Sequence, residues 1–178
     1  IKTYDVSLLF LTDSIKIVCA SILDLACGPG NISKFLLNNN SKHKITGVDL
    51  SPNMIKLAQQ NNPTANFIVK DCRDLKGLNQ KFDAIVCGFG LPYLTKPEAL
   101  KLIDDCCNLL NPNGLIYINT IVAEVYTSIL ETSSSGEYKT QMYYHEKSYL
   151  AKKLNSSGLK IIFEKTYTAT NRKNEVVN

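Results

Sequence analysis

The chain has 178 residues, of which 44% are hydrophobic and 20% charged, with a formal net charge of +4. This composition predicts a single ordinary globular domain, excludes disordered and fibrous classes, and leaves little length for a separate substrate domain. The lysines are scattered rather than massed, which argues against nucleic acid as partner, and no apolar run approaches the length that crosses a bilayer.

Residues 6–10 are apolar but too few for a signal-peptide core, and they lack its basic start and cleavage pattern. From Ile22 onward, apolar runs of strand length alternate with segments of helical period, the pattern of a parallel sheet covered on both faces. Strands are predicted over 21–26, 44–49, 66–70, 83–88, 114–119 and 159–168. Between them, Ile32, Phe35 and Leu36 share one face of a helix that Asn38, Asn39 and Asn40 end. Ser51 followed by Pro52 starts a second helix, with a capping hydroxyl and a proline in the first turn. Thr95 and Glu98 have capping-box spacing, and Leu100, Ile103, Cys107 and Leu110 follow on one predicted face. A last helix is predicted over about 146–155, stopping near Gly158. Residues 120–145 break the alternation and carry Tyr126, Tyr138, Tyr143, Tyr144 and His145. The one low-complexity patch is 133–136, Ser-Ser-Ser-Gly.

Residues 22–30 read Ile-Leu-Asp-Leu-Ala-Cys-Gly-Pro-Gly, an apolar strand that runs into a glycine turn. Such a turn brings backbone close to a ligand, and an acid about 20 residues on, at the tip of the next strand, binds ribose hydroxyls. Asp49 stands at that place, so the pair predicts a nucleoside site. Asp24 interrupts the apolar run, and a carboxylate in a strand buried on both faces costs on the order of several kcal/mol unless partnered. It is read either as an acid that faces a ligand or as one paired with a backbone amide or a lysine. A nicotinamide dinucleotide fingerprint has a third glycine three residues after the second, and here Ser33 holds that position.

With these residues the chain resembles the class I S-adenosylmethionine-dependent methyltransferases, whose first motif has the form apolar-Asp-apolar-Gly/Ala-Cys/Ser-Gly-x-Gly. Further blocks follow in the family's order: 47–54 (Gly-Val-Asp-Leu-Ser-Pro-Asn-Met), 67–72 (Phe-Ile-Val-Lys-Asp-Cys), 82–86 (Phe-Asp-Ala-Ile-Val) and 109–116 (Leu-Leu-Asn-Pro-Asn-Gly-Leu-Ile). Two positions depart from the pattern. Ala26 stands where glycine is commoner, and Asn113 occupies the Pro-Gly-Gly turn position before Gly114.

The resemblance implies a doubly wound, Rossmann-like α/β fold, a mostly parallel sheet of order 3-2-1-4-5-(7)-6 with helices on both faces. The final strand has no obvious counterpart in the sequence, and the chain opens at Ile1 without a methionine, so a trimmed chain is an open expectation. S-adenosylmethionine is the implied cofactor and S-adenosylhomocysteine the product. The turn with Ala26, Cys27, Gly28 and Gly30 would pass under the methionine and ribose, Asp24 would meet the amino group directly or through water, and Asp49 would accept the ribose hydroxyls. Leu50 and Met54 would pack near the adenine, Asp71 would receive its amino group, and Cys72 would offer a backbone amide to the ring. Gly88 would come close to the methyl group, and Arg73 is read as a surface partner for a carboxylate. The 120–145 insertion and the first 20 residues are expected to cap the substrate.

Methyl transfer is a direct displacement in which the cofactor carries the electrophile, so the protein mainly supplies position, worth about 7–11 kcal/mol of barrier. Few catalytic groups are therefore needed. His145 is the candidate general base and Tyr93 a candidate for the acceptor pocket, each with a structural reading left open; Tyr143 and Tyr144 rank below. Residues 87–93 lack the Asn/Asp-Pro-Pro-Tyr/Phe motif of enzymes that methylate exocyclic amines of bases or glutamine amides. His43, in a lysine-flanked turn, is read as solvated, and no metal site is expected. Six cysteines without a Cys-x-x-Cys pair fit a reducing cytoplasm, with Cys106 and Cys107 as a helix core position beside a boundary position. The expected partner is a small-molecule acceptor methylated at oxygen or nitrogen. The alternatives are an RNA or protein methyltransferase, a non-catalytic S-adenosylmethionine-binding subunit and, last, a nicotinamide-dependent reductase.

Overall fold

The computed structural model of the chain describes residues 5–132, 139–167, 169–170 and 176–177. Five strands, β1 (Ser21–Leu25), β2 (Lys44–Asp49), β3 (Asn66–Val69), β4 (Phe82–Gly88) and β5 (Leu110–Asn119), form one parallel sheet of order β3-β2-β1-β4-β5. This is the expected doubly wound order as far as its fifth strand. Alternation within β1 sends Ile22 to one face and Leu23 and Leu25 to the other, and all three are fully buried.

One face is covered by α1 (Asp5–Ser14), α2 (Asn31–Asn39) and α3 (Pro52–Asn61), through Leu8, Leu11, Leu36 and Ala58. The other is covered by α4 (Lys96–Leu109) and α5 (Lys147–Ser156), through Ala99, Leu102, Ile103, Cys106 and Leu150. Helix starts follow the predicted chemistry. Ser51 Oγ accepts the amide of Met54 at 3.4 Å, and the Thr95 and Glu98 capping box is complete, with Glu98 Oε2 accepting the Thr95 amide at 2.8 Å.

Several expectations need correction. The buried face of α4 is Ala99, Leu102, Ile103 and Cys106 rather than Leu100, Ile103, Cys107 and Leu110; Cys107 is half-buried, as a boundary position should be. His43 is buried rather than solvated, because its Nδ1 accepts the amide of Ala20 at 3.2 Å where β1 begins. Apart from these corrections, the first residues hold a helix, α1, that packs on the sheet, with Ser7 Oγ 3.0 Å from the Tyr117 hydroxyl.

Residues 120–145 contain a small second sheet of β6 (Val122–Ala123), β7 (Thr127–Thr132) and β8 (Lys139–Glu146), in the order β6-β8-β7. Strands β7 and β8 are antiparallel. Tyr138 and the 133–136 patch lie outside the described residues.

The strand predicted over 159–168 is not formed across 159–167, and residue 168 lies outside the described residues. A strand needs a neighbour to satisfy its backbone. Here an open groove of about 1,220 Å³ separates β5 from 158–167, and the segment is held instead by side chains, with Phe163 stacked on Phe10 at 4.6 Å between ring centroids. Beyond it, β9 (Ala169–Thr170) pairs with β10 (Val176–Val177). Among the described residues, no helix is long and apolar enough to cross a membrane.

Candidate cofactor and acceptor site

Parallel pairing puts the C-terminal ends of β1, β2 and β4 side by side, with Leu25 level with Val48 and Cys87. Open α/β sheets bind ligands at this edge. The glycine turn leaves β1 here, and the amide of Cys27 still donates to Val48 O at 3.0 Å. Gly28 follows with φ 51, and a Cβ on it would meet nothing within 4 Å, so the turn presents bare backbone to open space. At Gly30, which caps α2 at φ 77, a Cβ would lie 2.5 Å from Asn62 Nδ2.

The two departures from the family pattern have one physical explanation. Ala26 has φ 51 and Asn113 φ 61, so both sit in the left-handed region where glycine carries no penalty. Asparagine tolerates that region better than alanine does.

Asp49 closes the turn. Its Oδ2 accepts the Gly28 amide at 2.9 Å and its Oδ1 the Ser51 amide at 2.9 Å, so one carboxylate joins the β1 turn to the start of α3. Each oxygen keeps further acceptor capacity. Asp24 is 1% exposed, and its Oδ2 accepts the Ser33 hydroxyl at 2.6 Å. Burial pushes its pKa up to about 6, opposed by the bonds from Ser33 and reinforced by the negative charge of Asp49. Burial, and after it the negative charges of Asp24 and Asp49, push the Cys27 thiol far above the ordinary range.

Leu50 and Met54 are exposed beside Asp49, apolar side chains at the lip of the turn. Asp71, two residues beyond β3, accepts Arg73 Nε and Nη2 at 2.9 and 2.6 Å; the side-chain bond to that guanidinium is the main reason its carboxyl is held below the usual range. Arg73 thus pairs with carboxylates, Glu98 included, as read from the sequence. Cys72 is half-buried, and burial pushes its thiol up to about 11. Gly88 ends β4, where a Cβ would fall 2.1 Å from Ile32 Cδ1, so this glycine lets α2 approach the sheet.

The structure therefore joins Asp24, Ala26, Cys27, Gly28, Gly30 and Asp49 in one constellation, with Leu50 and Met54 at its rim. Tyr93 is 55% exposed at the end of a 3-10 turn, Leu91–Tyr93. His145, the candidate base, is fully buried: Nε2 lies 2.8 Å from Leu91 O and Nδ1 meets the Tyr149 hydroxyl. With both ring nitrogens engaged inside the core, it has no free nitrogen to take an acceptor's proton in this structure.

Sequence reasoning missed three supports. Ser33, which in the sequence marks only a missing glycine, holds Asp24. Asn61 and Asn62 at the end of α3 donate to Pro29 O at 2.9 Å and Gly30 O at 3.0 Å, fixing the turn from below. No local pattern marks such asparagines, because their targets lie 32 residues away.

A family model for the methyltransferase domain matches residues 22–114. The chain belongs to this family, the class I S-adenosylmethionine-dependent methyltransferases. It is 35% identical over 114 residues to a putative methyltransferase, YqeM, of Bacillus subtilis, an alignment covering 59% of this chain and 45% of that protein. It is 34% identical over 97 residues to the trans-aconitate 2-methyltransferase of Escherichia coli, covering 54% and 37%. The chain thus spans less than half the length of either relative. Its fold is similar to that of magnesium protoporphyrin IX methyltransferase from Synechocystis PCC 6803, solved with bound S-adenosylmethionine, at a TM-score of 0.68 and 19% identity, covering 99% of this chain and 75% of that one.

Proposed function

We propose that this domain binds S-adenosylmethionine and transfers its methyl group to an oxygen or nitrogen of a small-molecule acceptor. Charge is the observation that carries this reading. Asp24 on β1 is level with Gly47 on β2, the strand that Asp49 ends, and among the described residues no lysine or arginine is paired with either acid. Such a site is complementary to a cation. A dinucleotide would bring a pyrophosphate to the same turn, beside two carboxylates, and the Gly28 amide it would need is already given to Asp49.

The residues present fit the cofactor. Asp24 would hold its ammonium group, the bare backbone at Gly28 would allow close approach, Asp49 would accept ribose hydroxyls, and Leu50 and Met54 would flank the base, with Asp71 and Cys72 at its far edge. When bound, the cofactor supplies a sulfonium methyl group as electrophile. The domain's own work is to orient the two reactants, through the turn that Asp49, Asn61 and Asn62 hold in place.

The turn after β4, with Gly88 and Tyr93, and the small sheet over 122–146 bound the acceptor end in this reading, and the chain is treated as one methyltransferase domain. The trans-aconitate relative, named for a small organic acid, supports a small acceptor. Incubation with S-adenosylmethionine bearing a deuterated methyl group and a panel of hydroxyl- and amine-bearing small molecules tests it. Mass spectrometry is expected to find the label on a small molecule. Label confined to RNA or protein would replace this acceptor class with another.

A further inference from the structure

The turn after β4 is strained. Phe89 has φ 63, a left-handed value for a bulky side chain. Such a conformation persists only where its surroundings over-determine it. Hydrogen bonds on either side of it hold the turn. On one side, the Phe89 amide donates to Asn119 O at the end of β5, at 2.9 Å. On the other, the Leu91 carbonyl accepts the Leu94 amide at 2.9 Å and His145 Nε2 at 2.8 Å, which uses both of its lone pairs.

The bond from His145 comes from far along the chain. His145 lies on β8, its own amide donates to Ile121 O at 3.1 Å, and its ring is closed in by Tyr149 of α5 and by Tyr126, whose ring centroid is 5.9 Å away. A carbonyl only accepts, so Nε2 carries the proton and Nδ1 of the neutral ring accepts from the Tyr149 hydroxyl. The surrounding charges are balanced. Lys96 Nζ sits 4.3 Å over the Tyr149 ring and 3.8 Å from Glu146, while the Tyr126 hydroxyl accepts the Lys96 amide at 3.2 Å. Burial also holds the ring's pKa below its ordinary value.

We propose that His145 is a positioning residue: through its bond to the Leu91 carbonyl, the small sheet fixes the shape of the 88–93 turn at the acceptor end of the site. A shift of β8 would release Leu91 O and with it a contact that holds the turn of the strained Phe89. The small sheet and the turn thus act as one unit, and whatever acceptor docks on the sheet is registered against the turn through this bond. The proposal rests on the methyltransferase reading above.

Hydrogen–deuterium exchange on the full chain tests it, comparing wild type with His145→Phe and His145→Gln. In His145→Phe, amides of 89–94 are expected to exchange about tenfold faster or more, while 22–30 and 45–49 keep wild-type rates. His145→Gln, whose side-chain amide can donate to the same carbonyl, is expected to restore slow exchange. Unchanged exchange at 89–94 would overturn the proposal, as would an equal acceleration across 22–49, the mark of general packing alone. Where His145→Phe does not fold, the wild-type imidazole ¹⁵N spectrum decides. A neutral ring with its proton on Nε2 is expected at neutral pH, and a ring protonated on Nδ1 would contradict it. Failure of the wild type to bind S-adenosylhomocysteine would sink the methyltransferase reading and leave the exchange comparison intact.

Discussion

The Ser33 hydroxyl donates to the buried carboxylate of Asp24 at 2.6 Å, so the residue that stands where dinucleotide sites have glycine is the support of the site's deepest acid. Ser33→Ala removes that donor without adding volume. At pH 8, where Asp24 is ionised, the variant is expected to lose about 1–3 kcal/mol of unfolding free energy, measured by urea denaturation. At pH 4 the loss should be smaller, because the protonated acid needs the donor less. A loss equal at both pH values would mean that Ser33 acts through packing alone.

Asp24 also makes stability depend on pH. Its folded pKa is raised from 3.8 to about 6, so the folded state holds the proton more tightly than the unfolded chain. The sign follows: unfolding free energy falls as pH rises from about 4 through about 6, by about 3 kcal/mol in all, at about 1.4 kcal/mol per tenfold change in proton affinity. Asp24→Asn should abolish this slope and be the more stable protein at pH 8, while binding S-adenosylhomocysteine more weakly. An Asn variant with the wild-type pH slope would assign the slope to another group.

Ala26 carries a left-handed φ of 51 with a side chain that disfavours it. Ala26→Gly should raise stability by about 0.5–1 kcal/mol, the relief of strain less the added freedom of the unfolded chain. Cofactor affinity should change little, since no polar group is removed. A lower melting temperature would show that the Ala26 methyl contributes more by packing than its backbone costs.

Asp49→Ala deletes the acceptor for the Gly28 and Ser51 amides. S-adenosylhomocysteine binding should weaken by about 1–3 kcal/mol in isothermal titration. Unchanged affinity would remove Asp49 from the site.

What the sequence showed and what it concealed divide along physical lines. Strands β1 and β2 were legible because they are buried on both faces and end in turn residues, and the starts of α3 and α4 because capping is local chemistry. The glycine turn and Asp49 were legible for the same reason: their spacing is short and fixed by one βαβ unit. The face of α4 differs from the predicted stripe by about one position because Leu100 is a stronger apolar signal than Ala99, and Cys106 and Cys107 are indistinguishable by type. The supports from Ser33, Asn61, Asn62 and His145 were hidden because each partner is chosen by tertiary packing. The strand expected over 159–168 had the right residues, yet pairing is a property of two strands and not of one.

The central claim is that the two acids and the open glycine turn form a site for a cationic nucleoside rather than a dinucleotide. Isothermal titration of the wild-type chain with S-adenosylmethionine, S-adenosylhomocysteine and NAD, at about pH 7.5 and then at steps below about pH 6, tests it most directly. Binding of the first two, weakening about tenfold for each pH unit below about 6 as Asp24 takes up its proton, is the predicted result. Binding of NAD with no response to either S-adenosyl compound would contradict it.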